Sequence, residues 1–373
     1  MAALNLQEPD RVPIDLDQAG GDGITIEAYR NLVEHLGLPE RSIKIDSIYG
    51  QTARVDEDVL ERFHVDTRRL DLGEPDNWQD KPIGEDSFED EWGVVRRRPA
   101  GGHYYDIVAS PMADMDTRTA IERYPWPDPY DPGRFRGLAE KARDLHENTD
   151  HAVVLQMNCT HFLRCGELRG WENFYMDLAG EPEFAVALMN RYLDYKLAIA
   201  ERALEEVGEN ADIVFCLSDD IGMSDRTLVS PQMYRELLKP LQKKLFDFFR
   251  ERTSAKRFFH CDGAVYPIIE DFIEVGTEAL NPIQVSATGM DDTQKMKREL
   301  GDRLAFWGAI DTYKVLPYGT VDDVRDEVRR RISDLGAGGG YVLCSVHNIQ
   351  PDVPPQNVVA MFDAAHEMGR YPL

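Results

Sequence analysis

The sequence predicts an α/β fold and, within that class, a (β/α)8 barrel with N-terminal elaborations. From about residue 135 onward, apolar runs of strand length alternate with longer amphipathic segments, which is typical of βα units and a parallel sheet. The runs are apolar throughout, as expected where helices cover both faces of a sheet. A length of 373 residues suits one barrel with insertions. An open doubly wound sheet satisfies the same pattern, but no glycine-rich phosphate-binding motif follows a strand to favour it.

The chain up to about residue 135 is irregular, and we interpret it as an elaboration of a single domain that spans residues 1–373. Val12–Leu16 predicts a short strand, and Ile26–Leu36 predicts an amphipathic helix. A polar stretch from Leu72 to Arg98 predicts a hairpin that leads into Glu91–Val95, because Pro, Gly, Asp and Asn mark turns. The segment Gly102–Tyr105 predicts either a flap or an ordinary hairpin.

The regular part of the chain predicts alternating strands and helices. The predicted strands are His151–Met157, Ile213–Leu217, Arg257–His260, Ala279–Val285, Leu304–Ala309 and Tyr341–Cys344. The predicted helices are Gly137–Asn148, Pro182–Val207, a helix capped by Ser230 and bent near Pro240 that ends near Arg252, Val265–Val275, Asp292–Glu299, Val321–Leu335, and a last helix from Pro355 to about Met368.

Composition limits the classes of partner. The formal net charge of −26 and the pI of about 4.7 disfavour nucleic acids and anionic membranes, both of which an acidic surface repels. We find no signal peptide and no apolar run of the roughly 20 residues that a membrane helix requires. The five scattered cysteines lack a CxxC motif and suggest reduced thiols. We therefore expect a cytoplasmic protein.

Polar residues follow the ends of the apolar runs, and in a parallel barrel these ends converge on one face. We therefore expect the active site there. The residues that we expect to contact substrate are Asn158, His161, Asn281, Gln284, Asp311 and His347. The expected catalytic residues are Asp219, Asp220, His260 and Asp262.

His260 and Asp262 are two residues apart, so on an extended backbone their side chains point the same way. An imidazole with a carboxylate suits a divalent metal, zinc first. A third ligand would come from another strand, with Cys344, His347, Asp219 and Asp220 as candidates. The alternative is a hydrogen-bonded His–Asp pair without metal.

Asp219 and Asp220 are neighbours in sequence, so their side chains diverge on an extended backbone. We expect one of them to face the site as an acid or base. The other would cap a helix or bind a backbone amide.

At these residues the chain resembles the uroporphyrinogen decarboxylase superfamily, which includes cobalamin-dependent methyltransferases, and the resemblance extends over nearly the whole chain. It is carried by Asp10-Arg11-Val12-Pro13, Leu168-Arg169-Gly170-Trp171-Glu172-Asn173, Ser218-Asp219-Asp220-Ile221-Gly222, Ser230-Pro231, His260-Cys261-Asp262-Gly263, Leu280-Asn281-Pro282-Ile283-Gln284, Trp307-Gly308-Ala309-Ile310-Asp311, and His347-Asn348-Ile349-Gln350 with Pro354-Pro355. The resemblance implies a (β/α)8 barrel.

The residues that depart from the family pattern indicate one branch of the family. The decarboxylases carry arginines around Gln18-Ala19-Gly20 to bind porphyrin carboxylates, whereas this chain has Asp17, Gly21 and Asp22 there. The zinc methyltransferases carry His-x-Cys and a distant Cys, which His260 and Cys344 resemble, with Asp262 in the middle position. Residues His260, Asp262 and Cys344 are thus the implied metal ligands.

The resemblance implies methyl transfer from a small methylated compound, of the methoxy or methylamine type, to a corrinoid that a partner protein supplies. Asp219 or Asp220 would supply a proton. The alternatives are a decarboxylase or lyase that acts on a small carboxylic acid, and a binding protein without catalytic activity.

Overall fold

Eight parallel extended segments form a closed barrel at the centre of this computed structural model, which describes residues 1–102 and 104–373. His103, part of the segment predicted to be either a flap or a hairpin, lies outside the described residues. Among the described residues the chain forms fourteen strands: β1 (Ile24–Thr25), β2 (Ile45–Ser47), β3 (Thr52–Ala53), β4 (Thr67–Asp71), β5 (Lys81–Gly84), β6 (Ser87–Glu89), β7 (Val95–Arg97), β8 (Asp106–Ala109), β9 (Ala152–Cys159), β10 (Ile213–Ser218), β11 (Lys256–His260), β12 (Ala279–Asn281), β13 (Ala305–Ile310) and β14 (Tyr341–Ser345).

Seven of these strands form the parallel sheet, in the order β14-β13-β12-β11-β10-β9-β4. The eighth position is taken by the extended segment around Ile14. Ile14 forms a parallel bridge with Leu343 of β14, and its carbonyl accepts a hydrogen bond of 2.9 Å from the Asp66 amide, just before β4. This segment joins the two edges of the sheet, so the predicted barrel is confirmed.

Helices alternate with the barrel strands. The α-helices of the described part are α1 (Ile26–His35), α2 (Glu57–Arg62), α3 (Arg118–Arg123), α4 (Leu138–Asn148), α5 (His161–Arg169), α6 (Trp171–Gly180), α7 (Pro182–Val207), α8 (Pro231–Met233), α9 (Lys239–Arg252), α10 (Ile269–Val275), α11 (Thr293–Leu300), α12 (Val315–Tyr318), α13 (Val321–Leu335) and α14 (Pro355–Met368). A π-helical turn at Tyr234–Leu238 joins α8 to α9, at the predicted bend near Pro240.

Alternate residues of the strands fill the barrel interior. Phe215, Phe258 and Trp307 pack edge to face, with ring centroids 5.1 and 5.0 Å apart. Each side chain is at most 2% exposed. His260 follows Phe258 by two residues on β11, so its side chain also points inward, one layer nearer the carboxyl ends of the strands. The aromatic layer is therefore the floor of the barrel mouth.

The predicted boundaries of α7 and α13 are confirmed. The predicted strand at 279–285 is shorter, because β12 ends at Asn281 before Pro282, which has no amide hydrogen to donate to the sheet. The hairpin is present, but Glu91–Val94 form its turn between β6 and β7. Asp90 fixes this turn by accepting the amides of Trp92 and Val94 at 3.0 Å.

The sequence did not predict β4, α5 or α6. In β4, the sequence Thr-Arg-Arg-Leu-Asp carries only one apolar residue, Leu70. Arg69 of this strand is bound by ion pairs to Asp46 and Asp71, so the strand is stabilised by charges where the pattern required apolar residues. Two antiparallel sheets, β1-β3-β2 and β5-β6-β7-β8, belong to the N-terminal elaboration.

Among the described residues, no helix has the length and the apolar character that crossing a bilayer requires. All five cysteines are buried with free thiols.

Candidate functional site

Asp220, His260 and Asp262 lie together at the carboxyl ends of β10 and β11. One ligand-type atom from each of the three lies within 4.8 Å of the others. The His260 Nε2 atom is 3.7 Å from Asp220 Oδ1 and 3.5 Å from Asp262 Oδ2. The structure thus brings together three of the four residues predicted to be catalytic.

Asn281 fixes the orientation of His260. The amide oxygen Oδ1 of Asn281 lies 2.6 Å from His260 Nδ1, and the Asn281 Nδ2 group points toward the Trp307 carbonyl at 3.5 Å. Because an amide oxygen only accepts hydrogen bonds, Nδ1 of the imidazole carries the proton. In the neutral imidazole, the lone pair on Nε2 then faces the two carboxylates.

Glycines allow the loops after β10 and β11 to touch. A Cβ atom at Gly222 would collide with the backbone of Asp262, and a Cβ atom at Gly263 would collide with Gly222. Gly263 has a φ of +94°, which favours glycine. In this close packing the Asp262 amide donates a hydrogen bond of 3.0 Å to Asp220 Oδ1, so one loop positions the carboxylate of the other.

A third glycine comes from the N-terminal segment. Gly21 has a φ of +88°, and a Cβ atom there would overlap the His260 imidazole ring. The segment after Leu16 therefore folds over the barrel mouth and packs directly against His260.

The three groups at the mouth titrate as a set. Burial opposes protonation of His260, but the hydrogen bond and charge of Asp262 and the charge of Asp220 outweigh it and raise the pKa of His260 to about 9. Burial raises the pKa of Asp262 as well, but His260 outweighs burial and the net pKa is lowered. Burial and the charge of Asp262 raise the pKa of Asp220. Without metal, the site therefore holds an imidazolium beside an ionised Asp262.

Two other predicted residues lie at the rim. His347 is 44% exposed at its side chain, and its Nε2 atom is 3.7 Å from Asp262 Oδ2. Gln284 accepts a hydrogen bond of 2.5 Å from the Gly263 amide, so it supports the loop that carries Asp262.

Asp219 points away from the mouth. It is fully buried, and its Oδ1 atom accepts the amides of Phe162 and Leu163, each at 3.1 Å, at the start of α5. This is the helix-capping role that the sequence left open for one member of the pair, although the helix capped is α5 and not the one that follows. Burial raises the pKa of Asp219 well above its usual range.

His161 is enclosed beside Asp219, with its Nε2 atom 3.4 Å from Asp219 Oδ2. It is fully buried, and burial lowers its pKa to about 3. The imidazole is therefore neutral and lies in the wall between β9 and α5, whereas the sequence placed it among the substrate contacts.

The remaining predicted residues are distributed around the barrel. Asp311 accepts the amides of Tyr313 and Lys314 at 2.6 and 3.1 Å, so it closes the turn after β13. Asn158 is exposed at the end of β9 with a φ of +40°. Cys344 is buried 3.8 Å from Asn281 Nδ2. In the described part of the chain, Asp220 and not Cys344 completes the group of potential metal ligands.

A second acidic cluster, which the sequence did not reveal as a site, lies below Asn281. Asp15 accepts hydrogen bonds from Trp307 Nε1 and the Ala19 amide, both at 3.2 Å, and one from Thr67. Neither carboxylate oxygen of its neighbour Asp22 has a hydrogen-bond partner among the described residues. Burial, with the charge of Asp15, raises the pKa of Asp22 well above its usual range. Deprotonation of Asp22 beside Asp15 is therefore disfavoured in the folded protein.

Comparison with known proteins agrees with this fold. Residues 110–368 match the family model described as uroporphyrinogen decarboxylase (URO-D). The chain is 27% identical over 275 residues to the uroporphyrinogen decarboxylase of Alkalilimnicola ehrlichii, covering 69% of each chain. It is 36% identical over 149 residues to that of Pseudoalteromonas translucida, covering 38% of this chain and 39% of the relative.

A solved structure, described as a methyltransferase from Methanosarcina mazei, superimposes with a TM-score of 0.68 at 19% identity and covers 98% of this chain and 96% of its own. That likeness shows the fold. The fold and the mouth define a (β/α)8-barrel enzyme with polar side chains at the carboxyl ends of its strands. The chain belongs to the uroporphyrinogen decarboxylase family, whose model matches well over half of its length.

Proposed function

We propose that this chain is a methyltransferase that moves a methyl group from a small methylated compound, of the methoxy or methylamine type, to a corrinoid. The observation that carries the proposal is the group of Asp220, His260 and Asp262 at the barrel mouth. The chain's resemblance to zinc methyltransferases at His260 supports it. The family relatives are named decarboxylases. The proposal therefore concerns which branch of the family this chain belongs to, and not its membership of the family.

The residues at the mouth fit a divalent metal. One imidazole nitrogen and two carboxylates suit zinc, and three protein ligands leave a position for substrate. The Oδ1 atom of Asp262 is buried with no hydrogen-bond partner in the described residues, which suits an oxygen that receives a ligand. A metal bound by these residues would polarise the heteroatom that carries the methyl group.

The protein side chains have separate tasks in this proposal. Asn281 keeps the Nε2 atom of His260 directed at the carboxylates. A reduced corrinoid would supply the electron pair for the new bond to the methyl carbon. The heteroatom that gives up the methyl group would keep the old bonding pair and would need a proton. His347 is half exposed beside Asp262 and is the residue placed to supply that proton. The corrinoid would arrive on a separate binding protein that docks at the mouth, in the cytoplasm.

A second candidate is a decarboxylase that acts on a small carboxylic acid, favoured by the names of the relatives. A porphyrin substrate is disfavoured because buried Asp17 and Asp22 occupy the segment that packs on His260. Neither residue offers a cationic partner to the carboxylates of a porphyrin.

Metal analysis of the purified protein, followed by a methyl-transfer assay, tests the proposal. We expect about one zinc per chain in the wild type and loss of zinc in His260→Ala, with Lys244→Ala, a surface change, as the control. With a panel of methoxy and methylamine compounds and cob(I)alamin, we expect formation of methylcobalamin by the wild type and by Lys244→Ala, and none by His260→Ala. Release of carbon dioxide from a small acid without a methyl acceptor would replace the proposal by the second candidate.

A further inference from the structure

A pocket of about 330 Å³ lies beside the barrel mouth, between the end of β9 and helix α7. Its volume is within the range of small-molecule sites. The lining residues that matter here are Trp92, Arg164, Tyr192, Tyr195 and Lys196. None of them belongs to the group around His260.

One wall of the pocket is aromatic. The Trp92 ring packs against Tyr195 with centroids 4.9 Å apart and against Tyr192 at 5.4 Å. The Arg164 guanidinium lies over Trp92 at 5.3 Å. Packing of this kind holds the rings in place and offers flat apolar surface to a ligand.

The residues that line the pocket include donors without acceptors. No carboxylate of the residues described here lies within 4.0 Å of the Lys196 Nζ atom, although this lysine is well covered by α7 and β9. In the same part of the chain the buried Tyr195 hydroxyl and the Arg164 Nε group have no hydrogen-bond partner. Buried donors without partners are costly, and a ligand that supplies acceptors relieves that cost.

The other charges of the pocket are balanced. Arg164 pairs with Glu167 at 2.6 Å, and Arg134 pairs with Glu91 at 2.5 Å. Lys196 is therefore the one cation of the described lining without a counter-charge, in a chain whose net charge is −26. Burial lowers the pKa of Lys196, so an anion beside it would restore the charged form.

We infer that this pocket binds a small organic acid, with one carboxylate beside Lys196 and Tyr195 and a flat apolar body against Trp92. A single uncompensated cation matches a monoanion, because a dianion would leave excess negative charge in the cavity. The aromatic wall selects a planar body over an aliphatic one.

This inference does not depend on the proposed function. It concerns binding, and the protein without metal or corrinoid is sufficient to test it. Failure of methyl transfer therefore leaves the inference standing, and failure of binding leaves the metal site untouched.

Benzoate is the probe, and isothermal titration calorimetry at low ionic strength is the measurement. We expect benzoate to bind the wild type, and benzamide, its neutral analogue, to bind at least about 10-fold more weakly, as the loss of a charged hydrogen bond implies. In Lys196→Met we expect benzoate to lose about 10- to 100-fold in affinity. Lys244→Met is the matched control, because Lys244 is a surface lysine paired with Asp194. This variant should bind benzoate as the wild type does.

Stability separates loss of binding from loss of folding. Because Lys196 has no counter-charge, Lys196→Met should unfold at the same or a higher temperature than the wild type when no ligand is present. If that variant does not fold, Tyr195→Phe, which removes one unpaired hydroxyl, should still weaken benzoate binding while leaving the aromatic wall. Equal binding of benzoate and benzamide, or of benzoate by wild type and Lys196→Met, overturns the inference, as does the absence of benzoate binding at millimolar concentration.

Discussion

The Asn281 Oδ1 atom lies 2.6 Å from His260 Nδ1, and this contact decides which nitrogen of the imidazole faces the two carboxylates. It is a relationship between neighbouring barrel strands, because His260 and Asn281 are register partners on β11 and β12. The geometry of the mouth thus depends on a residue that does not itself belong to the group of potential ligands.

Replacement of Asn281 should loosen His260 without unfolding the barrel. In Asn281→Leu we expect zinc affinity to fall by about 10- to 100-fold, as is typical when a partner of a ligating histidine is lost. Asn281→Asp, which keeps an acceptor at this position, should retain most of the affinity. A competition titration with a chelator measures both, and unchanged affinity in Asn281→Leu would argue against the orienting role.

Replacement of Asp219 should lower the stability of the protein, whereas replacement of Asp220 should remove zinc binding. Asp219→Ala removes the acceptor for two amides of α5, so we expect a loss of about 1–2 kcal/mol in the free energy of unfolding, the range for a lost helix cap. Asp220→Ala should change stability much less but abolish zinc binding. Urea unfolding of the metal-free proteins together with metal analysis checks this pair. A reversal of the two effects would mean that the residues have exchanged roles.

Gly21 should tolerate no side chain, since a Cβ atom there would overlap the His260 ring. In Gly21→Ala we expect loss of zinc binding, because either the segment or the imidazole must move. Gly37→Ala is the matched control for the strain of a positive φ, since Gly37 has a φ of +66° and open space around it. Equal zinc content in Gly21→Ala and the wild type would show that the contact is not required.

The stability of the protein should fall in mild acid because of His161. Burial lowers its folded-state pKa to about 3 from an ordinary value of 6.5, so its contribution is complete above pH 6.5 and is lost as the pH falls toward 3. At pH 5 the loss attributable to this residue is about 2 kcal/mol. In His161→Leu, the difference in unfolding free energy between pH 7 and pH 5 should be smaller by this amount.

The control for this experiment is His35→Leu, which removes an exposed histidine at the end of α1 and should leave the pH difference as in the wild type. An identical pH difference in His161→Leu and the wild type would show that His161 is not neutral in the folded protein.

The Asp15–Asp22 pair predicts the opposite pH dependence. Burial raises the folded-state pKa of both carboxyls, so the stability that they contribute is complete below pH 3.8 and declines as the pH rises. Asp22→Asn replaces a buried carboxyl by an amide that stays neutral at every pH. We expect this variant to gain more in thermal midpoint over the wild type at pH 8 than at pH 5, as scanning calorimetry would measure. A larger gain at pH 5 would contradict a raised pKa of Asp22 in the folded protein.

The sequence by itself predicted the barrel and the position of the candidate site along the chain. Strands such as β10 and β13 are apolar on both faces because helices cover the outer face and the inner face packs in the barrel interior. This pattern can be recognised without coordinates. The spacing of His260 and Asp262 likewise follows from the two-residue period of a strand. The strand β4 was invisible because ion pairs, which have no sequence period, stabilise it.

Only the tertiary structure decided which role each of these residues has, whether the residues are neighbours in sequence or far apart. Asp219 and Asp220 are equivalent in sequence, and the packing of α5 against β10 assigns one to a helix cap and the other to the mouth. Cys344 fits a family pattern in sequence, but Asn281 stands between it and His260. Contacts between segments hundreds of residues apart, such as Gly21 with His260, arise from closure of the barrel, and no local pattern encodes them.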